Sequence, residues 1–333
     1  MTGDARTPVV VLTGFLGSGK TTVLQQLMRR AEWEHTAVIV NELGAMGLDH
    51  LLVQHLAPDV KVLPSGCICC SVSEDLTRTL AELHARRARG ELSFQRVVIE
   101  TTGLADPMPV VHTMSVHAQL AQQFRLAGMV TTVDACNGSA TLERHPEACR
   151  QVAMADTLLL TKTDLSDAQT IARLQAQLLR INASAPLRRV LHGHVDPEHL
   201  ADLEQQFVRL AGTPPARQAG QRGWILKEAD AGSGTPLATA AARNRSHHAK
   251  DITTACFRVE TPFAGGTFQR WLEMLCSLRG DQLLRFKGLI HTAEDPERPL
   301  VMHSAQHLIH APQALPAWPG ADRRSLIVFI TQG

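Results

Sequence analysis

Three short stretches of this chain combine the residue types that phosphate chemistry needs. The first is Gly14-Phe-Leu-Gly17-Ser18-Gly19-Lys20-Thr21-Thr22, which has the spacing G-x-x-x-x-G-K-[ST]. Glycines let backbone N–H groups turn inward on phosphate oxygens, and the helix that follows adds the positive end of its dipole. In that pattern Gly14, Gly17, Ser18, Gly19 and Thr22 form the cradle, Lys20 reaches the β- and γ-phosphates, and the Thr21 hydroxyl binds Mg²⁺. The second stretch, Arg96-Val-Val-Ile-Glu100-Thr-Thr-Gly103, ends an aliphatic run in a carboxylate shortly before a glycine. Glu100 then holds Mg²⁺-bound water and the Gly103 N–H meets the γ-phosphate, which makes this the element that senses hydrolysis. The third, Thr161-Lys162-Thr163-Asp164, also closes an aliphatic run. A carboxylate at Asp164 can accept from the N1–H and the exocyclic amine of guanine, a donor pair that adenine lacks. Lys162 lays its stem along the base. The expected ligands are therefore GTP and GDP.

A fourth stretch carries different chemistry. Ser65-Gly66-Cys67-Ile68-Cys69-Cys70 crowds three thiols into four positions. Thiolates suit Zn²⁺, Cu(I) and neighbouring ions, and three supply most of a tetrahedral site, with a fourth ligand from elsewhere. Two other readings are open: small buried hydrophobes in a tight loop, or a redox pair, although the spacing is not C-x-x-C. Sixteen histidines are scattered along the chain. The pair His247-His248 reads as solvated, and His192/His194 and His112/His117 as surface or helix-face groups without an assigned role.

These stretches need elements to hold them. The 333 residues suit two domains, and 44% hydrophobic with 20% charged residues excludes a disordered or fibrous chain. The balance of 33 basic and 32 acidic side chains, net +1, offers no electrostatic case for nucleic acid. No apolar run is long enough to span a membrane, and no signal-like segment opens the chain. Seven cysteines make an odd set that does not read as a disulfide framework, so a soluble cytoplasmic protein is expected. Apolar runs at Val9–Thr13, Ala37–Asn41, Val60–Leu63, Arg96–Glu100, Met129–Asp134, Thr157–Thr161 and Arg189–Leu191 predict strands. Between them Thr21–Ala31, Glu74–Arg89, Pro107–Phe124, Ala168–Ile181 and Pro197–Leu210 predict helices. That alternation is the pattern of an α/β fold, a mostly parallel sheet with helices on both faces, here a P-loop NTPase over residues 1–211. Glycine and proline punctuate 212–252, which reads as a linker. Residues 253–333 predict a small α+β domain, with strands at Thr254–Glu260, Leu283–Thr292, Leu300–His303 and Leu326–Thr331 and a helix at Thr267–Leu278.

Gly14–Thr22, Asn41-Glu42-Leu-Gly44, Gly66-Cys-Ile-Cys-Cys70, Glu100-Thr-Thr-Gly-Leu-Ala-Asp-Pro107 and Thr161–Asp164 stand in the order found in one family. The chain resembles the CobW-like GTPases, metallochaperones related to the nickel-insertion GTPases of urease and hydrogenase, and is most similar to its YjiA-type members. The likeness extends to Leu284-Arg285-Phe286-Lys287-Gly288, which resembles the R-x-K-G signature of the family's C-terminal domain. The resemblance implies Mg²⁺-dependent GTP hydrolysis coupled to binding of Zn²⁺, or another transition metal such as Co²⁺, and its delivery to a client apoprotein. The metal is then expected on Cys67, Cys69 and Cys70. The family's N-E-F-G-E is here Asn41-Glu42-Leu43-Gly44-Ala45, so one carboxylate is missing. Glu42 remains, facing either the thiol-bound metal or Mg²⁺. The rival reading is a thiol-based metal buffer with nucleotide as a structural or regulatory ligand. The oligomeric state is open, a homo-oligomer included.

Overall fold

The computed structural model describes residues 5–41, 61–63, 71–196, 200, 203, 226–228, 252–264 and 266–333. Seven strands build the first sheet: β1 (Thr7–Gly14), β2 (Thr36–Asn41), β3 (Lys61–Leu63), β4 (Arg96–Glu100), β5 (Phe124–Asp134), β6 (Thr157–Thr161) and β7 (Leu187–Arg189). Their order is β3-β2-β4-β1-β5-β6-β7, and every pairing is parallel. Parallel strands are covered on both faces, which is why they read as near-continuous aliphatic runs. In β1, Val9 and Val11 enter one hydrophobic cluster, and Val10 and Leu12 enter the other. The covering helices are α1 (Lys20–Met28), α2 (Ser71–Ala88), α3 (Met108–Val116), α4 (Ala118–Gln123), α5 (Gly138–Arg144), α6 (Pro146–Met154) and α7 (Ala168–Ile181). On the α1 side Trp33 is 2% exposed, with the Arg96 guanidinium 4.6 Å from its ring centroid.

One expectation needs correction. A continuous helix over Pro107–Phe124 does not form. His117 adopts φ −78° and ψ 102°, which separates α3 from α4. Phe124 instead opens β5, where it pairs with Thr7 and is 2% exposed, so that strand starts well before Met129. Burial against β1 outweighs the helical tendency of the preceding alanines and glutamines. The expected helix at Pro197–Leu210 falls largely outside the described residues.

The second sheet comprises β8 (Leu226–Glu228), β9 (Ile252–Val259), β10 (Leu283–Ile290), β11 (Leu300–Ala305), β12 (Leu308–Ile309), β13 (Gln313–Ala314) and β14 (Ser325–Gln332). It runs β12-β11-β10-β14-β9-β8 with β13 beside β11, antiparallel except for β8 on β9. Strand β8 lies within the segment read as a linker. Helix α8 (Thr267–Arg279) covers part of one face through Phe268, Leu272 and Cys276. Beside it an apolar groove of ≈ 830 Å³ is lined by Phe257, Trp271 and Phe329 among others. The other face meets the first sheet's helices: Ile252, Leu284, Ala305 and Ile330 share one cluster with Val9, Leu158 and Leu178. Thr254 Oγ1 donates to the Ile181 carbonyl across this seam at 2.7 Å. Among the described residues no helix is long and apolar enough to cross a membrane.

Candidate nucleotide and metal site

Strands β1, β4, β5 and β6 end at Gly14, Glu100, Asp134 and Thr161, so the parallel sheet brings the three phosphate-chemistry stretches to its carboxyl edge. The turn after β1 needs its first glycine. Gly14 has φ 141°, and a Cβ there would lie 2.3 Å from Thr132 Oγ1 and 2.5 Å from the Thr132 carbonyl. Ser18 Oγ shares a 2.6 Å hydrogen bond with Thr132 Oγ1, and Thr161 Oγ1 donates to the Ser18 carbonyl at 2.7 Å. The loop is thereby tied to β5 and β6. Lys20 is buried, its Nζ donating to the carbonyls of Gly14 at 2.9 Å and Phe15 at 3.2 Å. Its ammonium is held inside the curl of the loop. Gly17 and Gly19 also carry positive φ, while Thr22, the third residue of α1, is exposed.

Thr21 Oγ1 donates to Glu100 Oε1 at 2.8 Å, and Glu100 is 4% exposed. This bond joins the start of α1 to the end of β4. Thr101 reinforces it, its Oγ1 donating to Thr13 Oγ1 at 2.8 Å and its N–H to the Leu12 carbonyl at 3.0 Å. Gly103 packs directly on the loop: a Cβ there would lie 2.5 Å from Leu16 N. The glycine is required by this close approach of two backbones.

The third stretch leaves β6 through Lys162, which takes a left-handed conformation at φ 55°. Lys162 Nζ donates to Asp134 Oδ2 at 2.8 Å. Asp134 also accepts from the backbone N–H groups of Cys136 at 2.7 Å and Asn137 at 3.2 Å. Burial pushes the Asp134 carboxyl up, but the Lys162 ammonium and these N–H donors outweigh it and hold it below the usual carboxylate range. Asp164 is exposed in the short turn that follows. A cavity of ≈ 280 Å³ lies beside these groups, lined by Phe15, Ser18, Thr132, Asp134, Gln151 and Lys162 among others.

The expected residues Gly14, Gly17, Ser18, Gly19, Lys20, Thr21, Glu100, Gly103, Thr161, Lys162 and Asp164 thus share one edge of the sheet. Sequence reasoning missed Thr132 and Asp134, although a carboxylate closing an aliphatic strand was a usable signal. It also missed Gln151, for which a lone glutamine in a short helix offers none. Glu42, Cys67, Cys69, Cys70, His247 and His248 lie outside the described residues. Among the described residues no group of three or more metal-ligating side chains is found.

The CobW/HypB/UreG nucleotide-binding domain model matches residues 8–189, over half of the chain. This chain belongs to that family. The cobalamin synthesis protein cobW C-terminal domain model matches residues 252–333. Within the family, the zinc chaperone YjiA of Escherichia coli K12 is 34% identical over 322 residues, covering 97% of this chain and 93% of YjiA. The zinc chaperone CobW of Pseudomonas aeruginosa is 33% identical over 205 residues, 52% of this chain and 53% of that one. The crystal structure of Zn(II)-bound YjiA GTPase from E. coli matches with a TM-score of 0.66 at 27% identity, over 98% of this chain and 94% of that one. A Zn(II)-bound YjiA variant with a glutamate and two cysteines replaced by alanine matches with a TM-score of 0.67 at 27% identity, over the same shares.

Proposed function

We propose that this chain is a Mg²⁺-dependent GTPase that couples its nucleotide state to binding zinc and passing it to a metal-requiring client. The observation that carries the reading is the 2.8 Å bond from Thr21 to Glu100, which ties the phosphate loop to the strand leading into Gly103. The zinc-chaperone relatives support the cargo. A hydroxyl and a carboxylate at the mouth of the loop are the hard oxygen donors that Mg²⁺ takes. Thr21 and Glu100 would hold that ion, which when bound neutralises charge on the β- and γ-oxygens.

The remaining work belongs to the chain's own groups. Lys20 leaves the Gly14 and Phe15 carbonyls for the phosphates, and the N–H groups of Gly17–Thr21 turn on them. Asp164 accepts from guanine and Lys162 flanks it. Hydrolysis then follows from positioning and charge stabilisation. Loss of the γ-phosphate releases Gly103. Cys67, Cys69 and Cys70, with Glu42 as the candidate further ligand, carry the zinc, and Co²⁺ fits the same donors.

The test is Zn²⁺ affinity by competition with a chelating dye, in GDP and in a non-hydrolysable GTP analogue. We expect a difference of about 5- to 150-fold. Equal affinities within about twofold, in protein that binds both nucleotides, would leave a metal buffer rather than a switch. Replacing Cys69 and Cys70 by Ser should abolish tight binding. Because YjiA is Zn(II)-bound even as its triple variant, affinity and not mere metal content is the quantity to read.

A further inference from the structure

Helix α6 touches three parts of the molecule. At its start the His145 ring stands 4.4 Å from the ring of Phe15, in the phosphate loop. Midway, Gln151 is 0% exposed, and its Nε2 donates to the carbonyls of Gly103 at 3.1 Å and Ala105 at 3.0 Å. Its Oε1 faces no donor among the described residues. A buried amide that leaves its oxygen unsatisfied carries a desolvation penalty that leucine would not, so its two N–H bonds are what the position supplies. Next to it Arg150 Nη1 reaches Asp106 Oδ2 at 3.5 Å, while its Nε donates to Gln332 Oε1, on β14, at 3.2 Å.

At the far end the helix holds the second sheet. Arg285 Nη1, on β10, donates to the Met154 carbonyl at 2.7 Å, and Arg285 Nη2 pairs with Asp156. Lys287 Nζ lies 2.8 Å from the same carboxylate oxygen, and Asp156 Oδ2 accepts from Met129 N–H at 2.8 Å. All three charged side chains are buried.

We propose that Gln151 is a positioning residue for the γ-phosphate-sensing loop, and that α6 carries the position of that loop to the second sheet. The nine-residue helix is hydrogen-bonded along its length and about 13 Å long, so it moves as a unit. Drawing the Gly103 N–H onto a γ-phosphate shifts the backbone between Gly103 and Ala105, and Gln151 holds both of those carbonyls. The Gln151 bonds then either pull α6 or break. Either event alters what Arg150, the Met154 carbonyl and Asp156 present to β10 and β14. This rests on the GTP-switch reading above and assigns its route.

Gln151→Leu replaces the amide by an apolar branch and removes the donors. We measure affinities for GDP and a non-hydrolysable GTP analogue, steady-state GTP hydrolysis, and hydrogen exchange at Leu283–Ile290 and Ser325–Gln332 with each nucleotide. The variant should bind GDP within about threefold of wild type, lose at least about fivefold in preference for the analogue, and drop in kcat about tenfold with little change in KM. The nucleotide-dependent exchange in β10 and β14 should vanish. Retention of the analogue preference and of that exchange response would overturn the proposal. If Gln151→Leu does not fold, Arg150→Ala with Gln332→Ala removes the surface link, and an unchanged exchange response at Ser325–Gln332 there counts equally against it. Wild type that binds both nucleotides with identical exchange overturns the switch reading itself, and the relay with it.

Discussion

Two carboxylates flank Lys162 with opposite duties: Asp164, two residues on, and Asp134, at the end of the neighbouring strand β5. Asp134 is buried and engaged by Lys162 and two backbone N–H groups, which makes it a fixed strut. Asp164 is exposed and offers its oxygens outward. On the function proposed above, the exposed one reads the base. Asp164→Asn should therefore lose guanine preference and gain affinity for xanthosine nucleotides, since the amide presents a donor to the changed base edge. Competition between GTP and xanthosine triphosphate for a fluorescent nucleotide checks this; a variant that still prefers GTP removes Asp164 from the base site. Asp134→Asn should weaken both nucleotides alike, because it loosens Lys162 without touching the base.

The elements differ in how plainly their residues announce them. Helix α7 is the clearest case. Asp167 precedes it and accepts from the N–H groups of Gln169 at 2.8 Å and Thr170 at 2.9 Å, and Ile171, Leu174, Leu178 and Ile181 fall at helical spacing on its buried face. Asp167→Ala should destabilise the protein, read as a lower urea midpoint at constant slope. Strands β4 and β6 were legible for the same kind of reason: compact aliphatic runs with a carboxylate or threonine at the end. So were the residues of the phosphate loop, since their spacing follows from local backbone geometry. What stayed hidden depends on distant partners. Helices α5 and α6, split at His145-Pro146, are too short for a period to emerge. Phe124 belongs to a strand only because Thr7 lies beside it. The ties of Gln151 and Asp156 join positions far apart in the chain, and no spacing rule encodes them.

At the scale of the molecule, acid should separate what burial has joined. His303 and His310 stand with ring centroids 4.7 Å apart near Arg285 and Lys287. Burial lowers both, His303 to about 3 and His310 to about 4, with the Arg285 charge adding to each and the neighbouring imidazole adding to His303. The unfolded chain takes up those protons near its ordinary value of about 6.5 while the folded chain refuses them. Stability is therefore intact above that pH and falls as pH drops through 6 toward 4, by about 1–2 kcal/mol per pH unit for the pair after allowance for partial exposure. Urea unfolding at pH 7, 6 and 5 tests this, and a flat profile would show that the imidazoles are hydrated. His303→Gln should shallow the slope. Below about pH 4 the stability contributed by Asp156 also starts to fall, because the unfolded carboxyl takes up a proton while the folded one, driven up by burial but brought well below the usual range by Arg285 and Lys287, stays charged.

The aromatic inventory turns this architecture into an optical instrument. The chain has no tyrosine and four tryptophans. Trp33 is sealed under Arg96 beside the first sheet, whereas Trp271 is 41% exposed at the apolar groove of the second. Emission on selective excitation therefore has a blue component from one half and a redder component from the other, with no tyrosine background to subtract. Because Ile252, Leu284 and Ile330 share a core with Val9 and Leu178, the two colours should fade together on denaturation. Loosening of the seam alone would leave the blue component in place while the red one shifts.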